Sequence, residues 1–260
     1  MGKLHVEFLG TGTSQGVPLI ACNCEVCLSK DSKDQRLRSS VWVQHPKASV
    51  VIDSGPDFRQ QMLRSGVKNL DALLFTHAHK DHIAGTDDVR AFNYRQQKPM
   101  PIYADLRVQE ALRREFFYAF EGTRYPGIPE LNPIEIDDHP FELNGMPVVP
   151  LPVMHMNLPV KGFRIGPFAY ITDANAIPLS TIDLLEDCEV LVLNALRHTA
   201  HPSHFTLEQA LEQAHKIGAK HTYLTHISHQ LGLHDAVEKR LPKGVFLAYD
   251  GLQLSFDIPD

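Results

Sequence analysis

The sequence predicts an α/β fold, and three observations carry that prediction. Short apolar runs with strand character alternate with amphipathic helical segments along the whole chain. No Pro-, Gly- or Ser-rich linker and no low-complexity segment divides it. Metal-capable side chains recur at the ends of predicted strands in both halves, which predicts one domain over 1–260 with a site where the halves meet. A hydrophobic content of 43% and a charged content of 22% are those of a globular protein with an ample core. The net charge of −6 argues against nucleic acid as a partner. No apolar run approaches the ~18–20 residues of a membrane span, and residues 1–8 are charged and alternating, unlike a signal peptide. A cytoplasmic protein with no membrane partner is therefore expected.

Residues 4–9 alternate as a strand and run into Gly10-Thr11-Gly12-Thr13-Ser14-Gln15-Gly16. That loop either offers N–H groups to an anion or is a tight turn; its spacing fits neither a Rossmann fingerprint nor a P-loop. Three of the four cysteines follow in Cys22-Asn23-Cys24-Glu25-Val26-Cys27, too close together for a disulfide staple. Structural zinc is the favoured reading and a redox Cys-x-x-Cys the rival. A closed zinc site needs a fourth ligand, and the neighbouring sequence contains none. Cys188 stands alone and reads as a small buried hydrophobe.

Residues 41–44 and 48–53 read as a hairpin, and a helix is expected from Asp57 to about Ser65. Asp53, at a strand end before Ser54-Gly55, either braces a metal loop or caps that helix. Residues 70–75 form a buried strand leading into Thr76-His77-Ala78-His79-Lys80-Asp81-His82, three imidazoles and a carboxylate inside six residues. Their spacing of i, i+2, i+4 and i+5 suits no single helix or strand face, whereas a bent loop can converge them. Imidazole and carboxylate donors suit Zn²⁺, Mn²⁺ or Fe²⁺.

Helices are then expected over 86–97 and 106–120, with a short strand at 101–104 between them. Tyr94, Phe117, Tyr118, Tyr125 and the Gly122–Gly127 loop are either pocket walls or core. The second half predicts strands at 133–137, 147–153, 162–165, 168–172, 189–194, 221–225, 245–249 and 252–256, and helices at 178–186, 206–217 and 234–240. Three of these strands lead directly into a donor: His155, Asp173 and His226. His204 opens the 206–217 helix; His198 and His201 flank the loop from Arg197 to Pro202 and either touch phosphate or, the favoured reading, are surface positions.

The Thr76–His82 run resembles the signature of the metallo-β-lactamase superfamily. Asp53, the histidine loop, His155, Asp173 and His226 resemble its five motifs in order. That resemblance implies an αββα sandwich, two mixed β-sheets flanked by helices. It implies two divalent ions, Zn or Mn, one held by His77, His79 and His155 and the other by Asp81, His82 and His226. Asp173 and a shared water or hydroxide would lie between them.

Residues 9–18, the cysteine trio and Thr225-His226-Ile227-Ser228-His229-Gln230 are similar to the PhnP-type phosphodiesterases of phosphonate metabolism. In that family a structural zinc joins the cysteines to a histidine three residues after the last catalytic ligand, which implies Cys22, Cys24, Cys27 and His229 here. The quinone-biosynthesis protein B family shares the glycine loop and the cysteines, so these motifs mark a clade and not a substrate. Ribonuclease Z has a similar histidine loop, but no long Gly/Pro-rich arm is present, and ordinary β-lactamases lack the cysteine site.

The implied function is a dinuclear metal-dependent hydrolase, a phosphodiesterase for small or cyclic phosphodiesters that uses a metal-bridging hydroxide. Asp81 would chiefly ligate, and His204 would serve as general acid or stabilise the pentacovalent species. Rival readings are a thioester or lactone hydrolase of the glyoxalase-II type, and a non-catalytic metal-bound accessory protein. A homodimer is expected by analogy with such relatives.

Overall fold

The computed structural model describes residues 2–121 and 127–258. Its first half runs β1 (Gly2–Gly10), α1 (Glu25–Leu28), β2 (Ser40–His45), β3 (Ala48–Ile52), α2 (Phe58–Ser65), β4 (Ala72–Leu74), α3 (Lys80–Ile83), α4 (Arg90–Gln96), β5 (Met100–Ala104), α5 (Leu106–Glu115) and β6 (Leu131–Glu135). The second half runs β7 (Phe141–Leu143), β8 (Met146–His155), β9 (Leu158–Ile165), β10 (Phe168–Ile171), α6 (Leu179–Asp183), β11 (Val190–Asn194), α7 (Leu207–Ile217), β12 (His221–Thr225), α8 (His234–Glu238), β13 (Val245–Leu247) and β14 (Gln253–Ile258).

The strands form two mixed seven-stranded sheets, β14-β1-β2-β3-β4-β5-β6 and β13-β12-β11-β10-β9-β8-β7. Period-two alternation sorts their side chains into layers. Val50, Ile52 and Leu74 of the first sheet meet Phe163, Tyr170 and Val192 of the second in the space between them. Val51 and Leu73 point the other way, into a cluster with Phe58 and Met62 of α2, Phe92 of α4 and Leu112 of α5. Leu191 and Leu193 likewise join Ala210 of α7 and Val237 of α8. Central strands covered on both faces read as unbroken apolar runs, and the result is the αββα sandwich.

The connections place the site. Strands β3, β4 and β5 run parallel, as do β10, β11 and β12. In parallel sheets the loops after the C-terminal strand ends lie on one side, where ligands of open α/β folds bind. Asp53 follows β3, the histidine loop follows β4, Asp173 follows β10 and His226 follows β12. His155 ends β8, which runs antiparallel to β9, itself antiparallel to β10, so it reaches the same edge. The two halves are stitched there by the Lys161 N–H donating to the Thr76 carbonyl at 3.0 Å.

Two local expectations change. The 106–120 helix stops at Glu115, because Phe116 turns out of helical geometry (φ −118°, ψ 41°) and buries its ring in the outer cluster. A single 3-10 turn, Phe117–Ala119, follows. The three-residue strand β7 and the four-residue helix α1 are too short to give a periodic signal.

Buried Arg36 ties the glycine loop to the second half. Its guanidinium donates to Thr11 Oγ1 at 2.8 Å and to the Ala248 carbonyl at 2.6 Å, and lies 3.0 Å from His234 Nδ1. Burial, reinforced by the Arg36 cation, pulls the His234 imidazole down to about 4. The unfolded chain takes up this proton near pH 6.5, the folded chain only near 4, so folding loses stability as pH falls through that window. The loss is at most about 1.4 kcal/mol per pH unit. The His234→Asn variant, which keeps an acceptor for Arg36, is expected to show a flatter loss of urea midpoint between pH 6.5 and 4.5 than the unsubstituted protein.

Candidate metal centre

Asp53 is fully buried with a left-handed backbone (φ 64°). It accepts hydrogen bonds from Thr76 N at 2.9 Å, Thr76 Oγ1 at 2.8 Å and His82 Nδ1 at 2.7 Å. Of the two roles open to it, this is the brace. Helix α2 begins after Asp57 and has no side-chain cap. Burial raises the Asp53 carboxyl above its ordinary value and the His82 charge counters part of that rise. Burial alone would lower His82, but the Asp53, Asp173 and Asp81 carboxylates outweigh it and hold the imidazole well above its usual value.

With Nδ1 tied to Asp53, His82 turns Nε2 to the centre, 3.2 Å from oxygens of both Asp81 and Asp173. His77, His79 and His155 each bring a ring nitrogen within 4.8 Å of the other two. His155 donates Nδ1–H to the Ser203 carbonyl at 2.7 Å, which leaves Nε2 for the cluster. Asp81, Asp173 and His226 form a second such set. Asp173 and His226 are also left-handed (φ 55° each). Thr172 Oγ1 donates to Asp173 Oδ2 at 2.8 Å, and His226 is flanked by Ser39 Oγ at 3.3 Å and Thr13 Oγ1 at 3.2 Å. Burial would raise the Asp173 carboxyl; His226, His82 and His77 overcome that and hold it well below the carboxylate range.

His204 completes the wall. Its ring lies 4.7 Å from that of His155 and stacks on that of His226 at 4.8 Å, with Nδ1 3.6 Å from Asp173 Oδ1. Burial, with His226 next, takes its imidazole down to about 3, so the ring is neutral at pH 7. Among the described residues, His77 Nε2, His82 Nε2 and His204 Nδ1 are buried without a hydrogen-bond partner. Each orphaned donor or acceptor costs about 1–3 kcal/mol. Beside the Asp81 and Asp173 carboxylates they form an all-nitrogen-and-oxygen donor set of the kind that divalent cations take.

The cysteines make a separate cluster. Cys24 Sγ caps α1, and Cys22 Sγ and Cys24 Sγ each lie 3.3 Å from His229 Nδ1. The donor atoms of Cys22, Cys24, Cys27 and His229 all fall within 4.8 Å of one another, the three-thiolate, one-imidazole set of a closed zinc site. The Cys27 N–H, with His229 next, lowers the Cys24 thiol to about 6, whereas burial raises Cys27 to about 11. Cys188 is apart, its thiol donating to the Val190 carbonyl at 3.1 Å. In the glycine loop the N–H groups of Gly12, Thr13 and Gly16 are bonded to protein carbonyls. A Cβ at Gly10 would stand 1.9 Å from the Arg38 carbonyl oxygen, which explains that glycine.

Residues 48–227 match the family described as Beta-lactamase superfamily domain. The chain belongs to the beta-lactamase superfamily. A solved structure, a diphosphatase from the PhnP family, aligns with 42% identity and a TM-score of 0.92 over 98% of this chain and 97% of that one, which places the chain in the PhnP-like branch. A Porphyromonas gingivalis protein named octanoyltransferase is 40% identical over 252 residues, 96% of this chain and 51% of the relative. The chain thus spans about half the length of the curated relatives it matches. The Zn²⁺-bound PqqB of Methylobacterium extorquens shares the fold (19% identity, TM-score 0.74, covering 96% of this chain and 99% of that one). The superfamily consists mostly of hydrolases, and its fold implies divalent metal ions. Among the described residues no helix is long and apolar enough to cross a membrane.

Other sequence expectations sort differently in this superfamily member. Tyr94 and Tyr118 line a separate cavity of about 500 Å³ with Arg90 and Lys98; none of the clustered donors borders it. Phe117 is exposed, while Tyr125 and most of Gly122–Gly127 lie outside the described residues. His198 Nε2 is bound to the Leu231 carbonyl at 3.0 Å, but the His201 ring reaches within 5.0 Å of His204. Ser39, Thr172 and Arg197 border the centre without any motif to mark them, whereas Thr13 lies in the glycine loop.

Metal analysis after loading and desalting is expected to return about three ions per chain, and Cys22→Ser to lose one of them. The Asp53→Ala variant, which removes the acceptor for His82 Nδ1, is expected to bind ions at the other centre about ten- to hundredfold more weakly, measured by competition with a chromogenic chelator.

Proposed function

We propose that the protein is a dinuclear metal-dependent phosphodiesterase for small or cyclic phosphodiesters. The observation that carries this reading is the pair of adjacent donor sets, His77–His79–His155 and Asp81–Asp173–His226, with His204 against both. The reaction is RO–PO₂⁻–OR′ + H₂O → RO–PO₃²⁻ + R′OH + H⁺. Bound divalent ions supply charge against phosphoryl oxygens and lower the pKa of water. The chain orients that chemistry. Asp53 fixes the His82 ring, Ser203 fixes the His155 ring, and Thr172 fixes one Asp173 oxygen. Neutral His204 stands where it can hydrogen-bond a phosphoryl or leaving oxygen, a role worth about 10²–10⁴-fold in rate. The PhnP-family diphosphatase, whose substrate class is also phosphoryl, supports the assignment.

A second reading is thioester hydrolysis, RCO–SR′ + H₂O → RCOO⁻ + R′SH + H⁺, through the same donors. The specific support is the octanoyltransferase relative, an acyl-transfer name on a protein aligned with 96% of this chain.

Metal-loaded protein assayed side by side on bis-p-nitrophenyl phosphate, 2′,3′-cyclic nucleotides and acyl thioesters separates the two. Turnover of the diesters with His204→Ala lowering kcat/KM by about 10²-fold or more at unchanged metal content is the expected result. Turnover confined to thioesters transfers the assignment to the second reading, and no turnover of any ester removes both.

A further inference from the structure

Two cavities border the donor cluster, and they differ in chemistry. One, of about 340 Å³, is polar and includes Thr13, Arg197, His201, His204 and His229 in its lining. Arg197 is held rigidly there: it donates to the carbonyls of Thr199 at 3.1 Å and Ala200 at 2.9 Å and to Gln230 Oε1 at 2.9 Å. Among the described residues it has no carboxylate partner. The other opening, of about 540 Å³, lies between the β8–β9 turn residues Met156–Leu158 and Pro202–Ser203, with His79 and His155 as its floor. Apart from those two imidazoles no ionisable side chain lines it. His155 lines one and His204 the other, and their rings stand 4.7 Å apart.

The second opening is built. Asn175 ties its two walls together, accepting from Met156 N at 2.7 Å and donating to the Pro202 carbonyl at 3.0 Å. Met156 adopts a left-handed backbone (φ 56°) and leaves 54% of its surface exposed. The positive φ belongs to the two-residue turn between His155 and Leu158, which leaves the apolar Met156 side chain exposed beside the opening. A flexible thioether suits a chain-like apolar group of variable shape.

We propose that the substrate is an unsymmetrical diester whose apolar alkyl arm lies along Met156 and Leu158, with the polar arm on the Arg197 side. This rests on the phosphodiesterase reading and names its substrate class. An alkyl arm in the polar cavity would strip water from the Arg197 cation without replacing it, so the two cavities select one orientation. Met156 and Leu158 are then specificity-determining residues.

The test uses the metal-loaded protein on alkyl p-nitrophenyl phosphates with methyl, butyl, hexyl and octyl arms. The expected result is kcat/KM rising about two- to fourfold per added methylene, with the slope lost in the Met156→Gln, Leu158→Gln double variant at unchanged metal content. Equal rates for all arms in the unsubstituted protein, or a slope that survives the double variant, overturn the apolar subsite and leave the phosphodiesterase reading standing. Hydrolysis of none of the diesters overturns both.

Discussion

The Asp53 carboxylate is the contact on which the histidine loop depends. It has no solvent exposure, and an unpaired buried carboxylate would be strongly destabilising. Three donors from the loop after β4 surround it: Thr76 N, Thr76 Oγ1 and His82 Nδ1. That arrangement fixes where β4 ends, how the loop bends, and which nitrogen of His82 faces the cluster. The loop then packs against Gly55 so closely that a Cβ there would stand 2.0 Å from the Asp81 carbonyl oxygen. Removing one partner of such a buried ion pair leaves the other uncompensated, which makes Asp53 as necessary to the centre as any donor in it.

The second half meets the first through backbone strain. Asp53, Asp173 and His226 each adopt a left-handed conformation within two residues of the end of a central strand. Left-handed backbone is uncommon outside glycine and is costly unless the surroundings over-determine it. Here it turns each side chain back over the strand end from which the chain has just emerged. The parallel runs β3-β4-β5 and β10-β11-β12 make those ends neighbours. Six imidazoles and three carboxylates are thereby gathered at one edge, and their mutual charge pulls His82 and Asp173 in opposite directions from their ordinary values.

Much of this is legible in the sequence, for definite reasons. A strand buried on both faces is an unbroken apolar run, so Ala72–Leu74 and Phe168–Ile171 announce themselves, and the donors His77 and Asp173 follow within a few residues. The histidine loop is marked by the density of its donors alone. The contacts of Thr13, Ser39 and Thr172 with His226 and Asp173 come from three separate elements and leave no local pattern. The Phe116 break in α5 and the exposed Met156 are decided by tertiary packing, which overrides a helical periodicity in one case and a hydrophobic preference in the other. His229 lies more than two hundred residues from Cys22, so spacing cannot pair them; only the family resemblance pointed there, and the physical link is the parallel bridge between Gly12 and Ile227.

That bridge bears on how the strained His226 persists. His226 and His229 flank Ile227 and Ser228, whose backbone N–H groups are both anchored. Ile227 N donates to the Thr11 carbonyl at 2.9 Å, Thr13 N to the Ile227 carbonyl at 3.1 Å, and Ser228 N to the Leu196 carbonyl at 3.1 Å. Thr11 is held in turn by Asp250 and by the buried Arg36. The glycine loop ends in the segment that carries Cys22, Cys24 and Cys27, whose sulfurs close on His229. The segment bearing His226 is therefore pinned on one side by a buried guanidinium–carboxylate network and on the other by the thiol cluster. A donor in a costly conformation persists only where its surroundings over-determine it, and the thiol cluster on His229, three residues on, is one of the constraints around His226.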